Sequence, residues 1–241
     1  SMILITHKIE ILIMRMSIKV SLTNIDFIGL IYHYTNTKVA VESILKTKLI
    51  RASSIRWTND PFEYKNYQYQ IEGSKHLPIL RVYKQIEKTN NFLKENTKII
   101  CFCIDKIHDW DRNKKPPEMI FDKGIARSRM WSQYGENHKG LCLVFNKNKL
   151  LNEIYKNKII QDNYEIVSDE IIYSDNVENI RTDFTFQLKY QYDYKEDLLK
   201  LYKKYLFCKL LDYRDEQEYR IVLIPKINKY IKKINEIYIN Y

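Results

Sequence analysis

Glycine occurs at only five places in this 241-residue chain, and none of the strand–helix junctions carries a glycine-rich phosphate-cradling loop. Neither G-x-G-x-x-G nor G-x-x-x-x-G-K-[ST] is present. Those turns exist because backbone must approach a pyrophosphate closely, so their absence argues against a doubly wound dinucleotide-binding fold or a P-loop. Strand-like and helix-like segments nevertheless alternate along the whole chain. The combination predicts an α+β fold with short, partly antiparallel sheets.

The segments follow from hydrophobic periodicity and local stop signals. Ile28–Tyr34 reads as a strand, followed by a helix over Lys38–Lys46 capped by Asn36 or Thr37, with Val41, Ile44 and Leu45 at helical spacing. Leu49–Ser53 returns as a strand, and Asn59-Asp-Pro-Phe-Glu63 carries the capping signals of a helix start. Helical segments run on to about Lys88, interrupted near Gly73 and Pro78. Lys98–Ile104 is a strand, Asp105–Lys123 a charged loop, and Ile125–Tyr134 a helix with Gly135 as its left-handed cap. Gly140–Phe145 is a strand, residues 150–160 and 178–208 read as mostly helical around a strand near Glu170–Tyr173, and Glu218–Ile224 is a strand that stops at Pro225. The tail Ile227–Tyr241 is amphipathic without a clear period. The expected organisation is an extension or edge strand over residues 1–20 and one domain over 21–241.

Composition bounds the function. With 45% hydrophobic and 13% aromatic residues the chain is globular. A net charge of +10 favours anionic partners, with a slight lean to nucleic acid. The lysines are nevertheless spread along the chain among acids, as on a solvated surface. Four cysteines do not make a disulfide framework, which points to a reducing, cytoplasmic setting. A zinc site from Cys101, Cys103, Cys142 and His138 is conceivable but lacks a second close cysteine pair, and no metal is expected. The apolar N-terminus is interrupted by His7, Lys8, Glu10 and Arg15, so neither a membrane span nor a membrane partner is expected. Ser1 reads as an expression scar, with Met14 and Met16 as alternative starts.

Three distant segments carry candidate chemistry: Ile31-Tyr-His-Tyr-Thr35, Met130-Trp-Ser-Gln-Tyr134 and Glu218-Tyr-Arg-Ile-Val222. They set a histidine at a strand end, a tyrosine at a helix end and a glutamate at a strand start. In that order they resemble the His–Tyr–Glu arrangement of the ADP-ribosyltransferase superfamily, and YHYTNTKVAVESILKTKL resembles its strand, His-x-Thr/Ser turn and following helix. The words YHYT, NDPFE, MWSQYGENHKG and EYRI also resemble a bacterial family catalogued only as a domain of unknown function, over most of residues 30–225.

The first resemblance implies a split-sheet core with surrounding helices, NAD as substrate, and transfer of ADP-ribose to a protein or nucleic-acid acceptor, possible roles including a toxin or defence effector. It implies that His33 and Thr35 hold ribose and nicotinamide groups, with Tyr34 standing where many relatives have glycine. Tyr134 would stack on nicotinamide, with Ser128 and Trp131 one turn back on the same surface. Glu218 carries a chemical case of its own. Breaking the nicotinamide–ribose bond builds positive charge on the sugar, and a fixed carboxylate stabilises that charge as it develops. Arg220 falls on the same strand face. The competing expectation for Glu218 is a surface ion pair with Arg220 or Lys209, beside Asp215 and Glu216. The alternatives for the whole protein are an NAD glycohydrolase or a non-catalytic nucleic-acid- or nucleotide-binding module.

Overall fold

Strand β11, Glu218–Pro225, is buried at all eight of its positions and is the axis of the sheet. A computed structural model describes residues 3–6, 29–58, 70–73, 79–105, 122–175, 185–188, 194–227 and 236–241. Antiparallel to β11 on one side runs β5 (Lys98–Cys103), and on the other β7 (Tyr164–Glu170). Beyond β5 lie β2 (Leu30–Thr35), β6 (Leu141–Asn146) and, at the edge, β1 (Ile3–Thr6). β3 (Leu49–Ser54) pairs with β5 and with β12 (Ile237–Asn240), completing an eight-stranded, antiparallel sheet. Two short parallel pairs stand apart: β8 (Ile172–Ser174) with β10 (Cys208–Leu210), and β4 (Gln70–Gly73) with β9 (Thr185–Leu188). The fold is α+β.

The sheet is forked along one edge of β5. At one end Tyr32 of β2 is in register with Cys103, and at the other Ser53 and Ser54 of β3 are in register with Ile99 and Lys98. Between these contacts β2 and β3 part. The other edge of β5 has no such gap, because its six residues are all matched by β11.

Strand alternation sends β11 into two cores. Val222 and Ile224 pack with Ile86 and Leu93 of α1 (Ile79–Asn96) and with Leu198, Leu201 and Tyr202 of α5 (Tyr194–Leu206). Tyr219, Ile221 and Leu223 pack on the opposite face with Leu150 and Ile154 of α3 (Lys147–Lys156) and Ile160 of α4 (Lys158–Asn163). The α3 and α4 starts are fixed by asparagine caps, Asn146 accepting from the Lys149 amide and Asn157 from the Ile160 amide.

Several local expectations change. The segment after β2 is a π-helix, Val39–Leu45, in which the Lys46 amide reaches back to the Val41 carbonyl. Asn36 does cap it, accepting from the Val39 amide at 2.8 Å. The central helix α2 is only Ser128–Gln133, preceded by a 3₁₀ turn at Gly124–Ala126. Charged β7 reads poorly as a strand because it lies at the sheet edge, and its last residues Asp169 and Glu170 are exposed. The expected helix start at Asn59–Glu63, most of loop 105–123 and most of the 1–20 extension lie outside the described residues.

Candidate active site

The fork opens into a cavity of about 570 Å³, floored by Ile99–Cys103 of β5. Register places its two ends. Cys103 lies opposite Tyr32 and Glu218, and Lys98 lies opposite Ser54 and Leu223. At ~3.4 Å per residue the two ends are about 17 Å apart. His33, Tyr134 and Glu218 all line this one cavity, together with Thr35, Lys209, Glu216 and Arg220.

Glu218 is 5% exposed and Arg220 is 0% exposed. The Arg220 guanidinium donates from Nε to Glu218 Oε1 at 2.5 Å and from Nη2 to Oε2 at 3.1 Å, and its Nη1 donates to the Leu206 carbonyl. Lys209 Nζ sits 2.7 Å from Glu218 Oε2 and 2.8 Å from Glu216 Oε2. Two carboxylates and two cations therefore form a buried, charge-balanced cluster. Burial alone would raise the Glu218 carboxyl, but the charges of Arg220 and Lys209 outweigh it and hold it down at about 2. Glu218 is thus an anion at neutral pH, locked by hydrogen bonds. The strand start is also pinned from behind, where the Glu218 amide donates to the Tyr173 hydroxyl at 2.9 Å.

His33 follows the single position at which β2 still matches β5. Its Nδ1 lies 3.0 Å from the Cys101 carbonyl, and its ring is tilted against Phe102. A carbonyl only accepts, so Nδ1 carries the proton and Nε2 holds the lone pair of the neutral ring. Burial lowers the pKa, which keeps the ring neutral. The side chain therefore offers an acceptor inside the fork.

Tyr134 is the C-cap of α2, and its hydroxyl donates to Glu216 Oε1 at 3.2 Å. The chain after it makes a tight left-handed turn: Glu136, Asn137 and His138 have φ of 51°, 51° and 66°. Gly135 was the expected left-handed cap, but the left-handed residues are the three that follow. Gly135 is needed for space instead, because a Cβ there would lie 2.8 Å from the Trp131 carbonyl. At Gly140 a Cβ would lie 2.4 Å from the Thr35 carbonyl. The turn docks on Thr37, whose amide donates to Glu136 Oε2 and whose hydroxyl donates to the Lys139 carbonyl. This holds Tyr134 beside the end of β2.

Other expected contacts fall elsewhere. Trp131 is buried away from the cavity, its Nε1 donating to the Ile125 carbonyl and its ring edge-on to Tyr34 at 5.1 Å. Ser128 is exposed at the first position of α2 and does not border the cavity. Tyr134 keeps the helical bond from its amide to the Met130 carbonyl, and the α2 residues that border the cavity beside it are Met130, four positions back, and Gln133. Tyr34 borders the cavity, but its hydroxyl is committed to the Gly124 carbonyl at 2.6 Å. Its bulk in place of glycine thus points into the core. Cys103 and Cys142 are buried with Tyr32, Tyr34 and Trp131, and among the described residues no group of His, Cys, Asp and Glu is arranged to hold a metal. No described helix is long and apolar enough to cross a membrane.

Glu216 and Lys209 are the site residues that sequence reasoning left on the surface. The usable signal was Glu216-x-Glu218, two carboxylates flanking the turn into a buried strand. Gln217 between them adopts φ 43°, which turns both inward.

A sheet of this topology with an ionised carboxylate, a neutral imidazole and a tyrosine in its fork defines an α+β protein with one candidate active site. Residues 130–221 of it match the family described as Protein of unknown function (DUF2971). That stretch holds Tyr134, the left-handed turn, Lys209, Glu216, Glu218 and Arg220, and leaves His33 outside. No curated protein and no solved structure matches the chain.

Proposed function

We propose that the protein is an NAD-dependent ADP-ribosyltransferase of the His–Tyr–Glu type. NAD is the substrate, nicotinamide the first product and ADP-ribose the transferred group. The observation that carries this is the convergence of His33, Tyr134 and Glu218, from three remote parts of the chain, on one cavity in the fork. Each has the state its role needs. Glu218 is a fixed anion that can accept a ribose hydroxyl and stabilise the developing oxocarbenium charge. The neutral ring of His33 has a lone pair for a second hydroxyl, and Tyr134 has an aromatic face for the nicotinamide. This chemistry runs without a metal. If water occupies the acceptor side, the same site is an NAD glycohydrolase.

A second reading rests on the ion cluster. Both oxygens of Glu218 are engaged by Arg220 and Lys209, which is sufficient for a structural brace. The cavity would then bind a nucleotide or nucleic acid without cleaving it. One experiment separates the two. Purified protein is incubated with NAD, cell lysate and nucleic acid, and nicotinamide and ADP-ribose adducts are followed by mass spectrometry. The enzyme reading expects nicotinamide release that is abolished in Glu218→Gln and His33→Ala variants shown by circular dichroism to be folded. Absence of release from the wild type, or undiminished release from the folded Glu218→Gln variant, overturns it.

A further inference from the structure

The far end of the cavity, where β3 meets β5, is chemically unlike the Glu218 end. There the lining includes Arg51, Ser53, Ser54, Trp57, Thr58 and Tyr238. Trp57 is 81% exposed, an extreme value for the largest aromatic side chain. Its exposure is built into the fold. The 3₁₀ turn Ile55–Trp57 is anchored by Ile55, which is 2% exposed and packed in the core under α1. The turn is closed by Thr58, whose amide and hydroxyl both donate to the Ile55 carbonyl. The indole is therefore presented to solvent at the mouth of a cavity by a rigid support.

The segment that carries it is basic, and its Arg51 lines the cavity. Residues 36–58 hold Lys38, Lys46, Lys48, Arg51 and Arg56 against one acid, Glu42. Glu236 pairs with Arg51 at 3.2 Å and accepts from the Tyr238 hydroxyl at 2.6 Å, which leaves the segment 36–58 with an excess of positive charge. A flat, exposed aromatic face that shares its cavity lining with Arg51 and its turn with Arg56 suits a ligand with alternating planar and anionic groups. Single-stranded nucleic acid has that pattern, whereas a peptide does not.

We infer that this rim is a landing site for single-stranded nucleic acid, with one base stacked on Trp57 and phosphates facing Arg51 and Arg56. Resting on the transferase reading, the bound strand is the acceptor. The bond between the ribose C1″ and the nicotinamide nitrogen breaks, its electron pair neutralising the pyridinium. A nitrogen or oxygen of the nucleic acid bonds to C1″, and the proton it carried is lost to solvent.

Binding is tested without NAD, by fluorescence anisotropy of a fluorescein-labelled single-stranded oligonucleotide with the full chain. Trp57→Ala is expected to weaken binding about 5- to 150-fold and Trp57→Phe to keep most of it. Arg51→Gln and Arg56→Gln are each expected to lower the slope of log affinity against log salt by about one. With NAD and an unlabelled strand, Trp57→Ala is expected to lose the oligonucleotide adduct and still release nicotinamide. Equal affinity of wild type and Trp57→Ala overturns the inference. So does displacement of the oligonucleotide by AMP alone, which would assign the indole to the adenine of a nucleotide, or adducts confined to protein. Missing nicotinamide release would instead strike the enzyme reading, and the anisotropy result would stand.

Discussion

Replacing Glu218 with glutamine should destabilise the protein far more than a surface ion pair could. Lys209, Glu216, Glu218 and Arg220 are all at most 5% exposed and their charges cancel. The substitution leaves one net positive charge in the interior. It also turns an amide NH₂ toward the Arg220 Nε, or toward Arg220 Nη2 and Lys209 Nζ, which are all donors. Breaking one side of a buried pair costs about 3–5 kcal/mol. The depressed Glu218 carboxyl points the same way. Its fall from the usual 4.5 to about 2 is worth about 3 kcal/mol. Because the folded value is the lower one, this stabilisation is complete above about pH 4.5 and is lost as pH falls toward 2. The assay is urea unfolding followed by circular dichroism, for wild type and variant, between pH 7 and 3. At pH 7 the gap should be about 3–5 kcal/mol, a drop in Tm of about 6–20 °C for a chain of this length. The gap should narrow below about pH 4.5. Adding Arg220→Met to Glu218→Gln should recover part of the loss, because it restores charge balance. A gap under about 1 kcal/mol at pH 7, the size of an exposed pair, would refute the buried cluster. So would a double variant no more stable than the single one.

Three further outcomes follow from the site. His33 is partly buried and burial lowers its pKa, so its ring NMR signals should titrate with a midpoint below the ordinary 6.5; its contribution to stability falls as pH drops below about 6.5, and a midpoint at or above 6.5 would contradict the geometry. Gly140→Ala should cost about 1–3 kcal/mol in urea unfolding, because its Cβ would meet the Thr35 carbonyl; an unchanged midpoint would show that the turn after Tyr134 is not tightly docked. Cys103 and Cys142 are buried, with their thiols pushed up by burial, so neither should be alkylated by iodoacetamide at pH 8 until the protein is unfolded; labelling of the native state would disprove their burial.

What could be read before folding depended on how local its cause was. β5, β6 and β11 are apolar runs and were legible, as were the strand end at His33 and the helix end at Tyr134. β7 was largely missed, because a charged edge strand is held by its neighbour β11 and not by its own pattern. The π-register of Val39–Leu45 and the left-handed run Glu136–His138 have no periodic signature. The left-handed run is docked by contacts such as Thr37 with Lys139, more than 100 residues apart. Glu216 and Lys209 look like surface charges in sequence. They are buried because β10 and the start of β11 bring opposite charges together, and a linear reading cannot see that cancellation. Spacing alone leaves open which residue one turn before Tyr134 faces the site: Met130, four positions back, borders the cavity, whereas Trp131 packs with Tyr34 and Cys103.

The fork has a mechanical consequence for whatever occupies it. Its floor is clamped along all six residues of β5 by β11, so the length of the cavity is a stiff dimension. Its walls meet that floor at one matched pair through β2 and two through β3. Widening the slot therefore disturbs few ladder contacts, while lengthening it would tear the central ladder. Bound molecules should be discriminated sharply by reach along β5 and leniently by thickness across it.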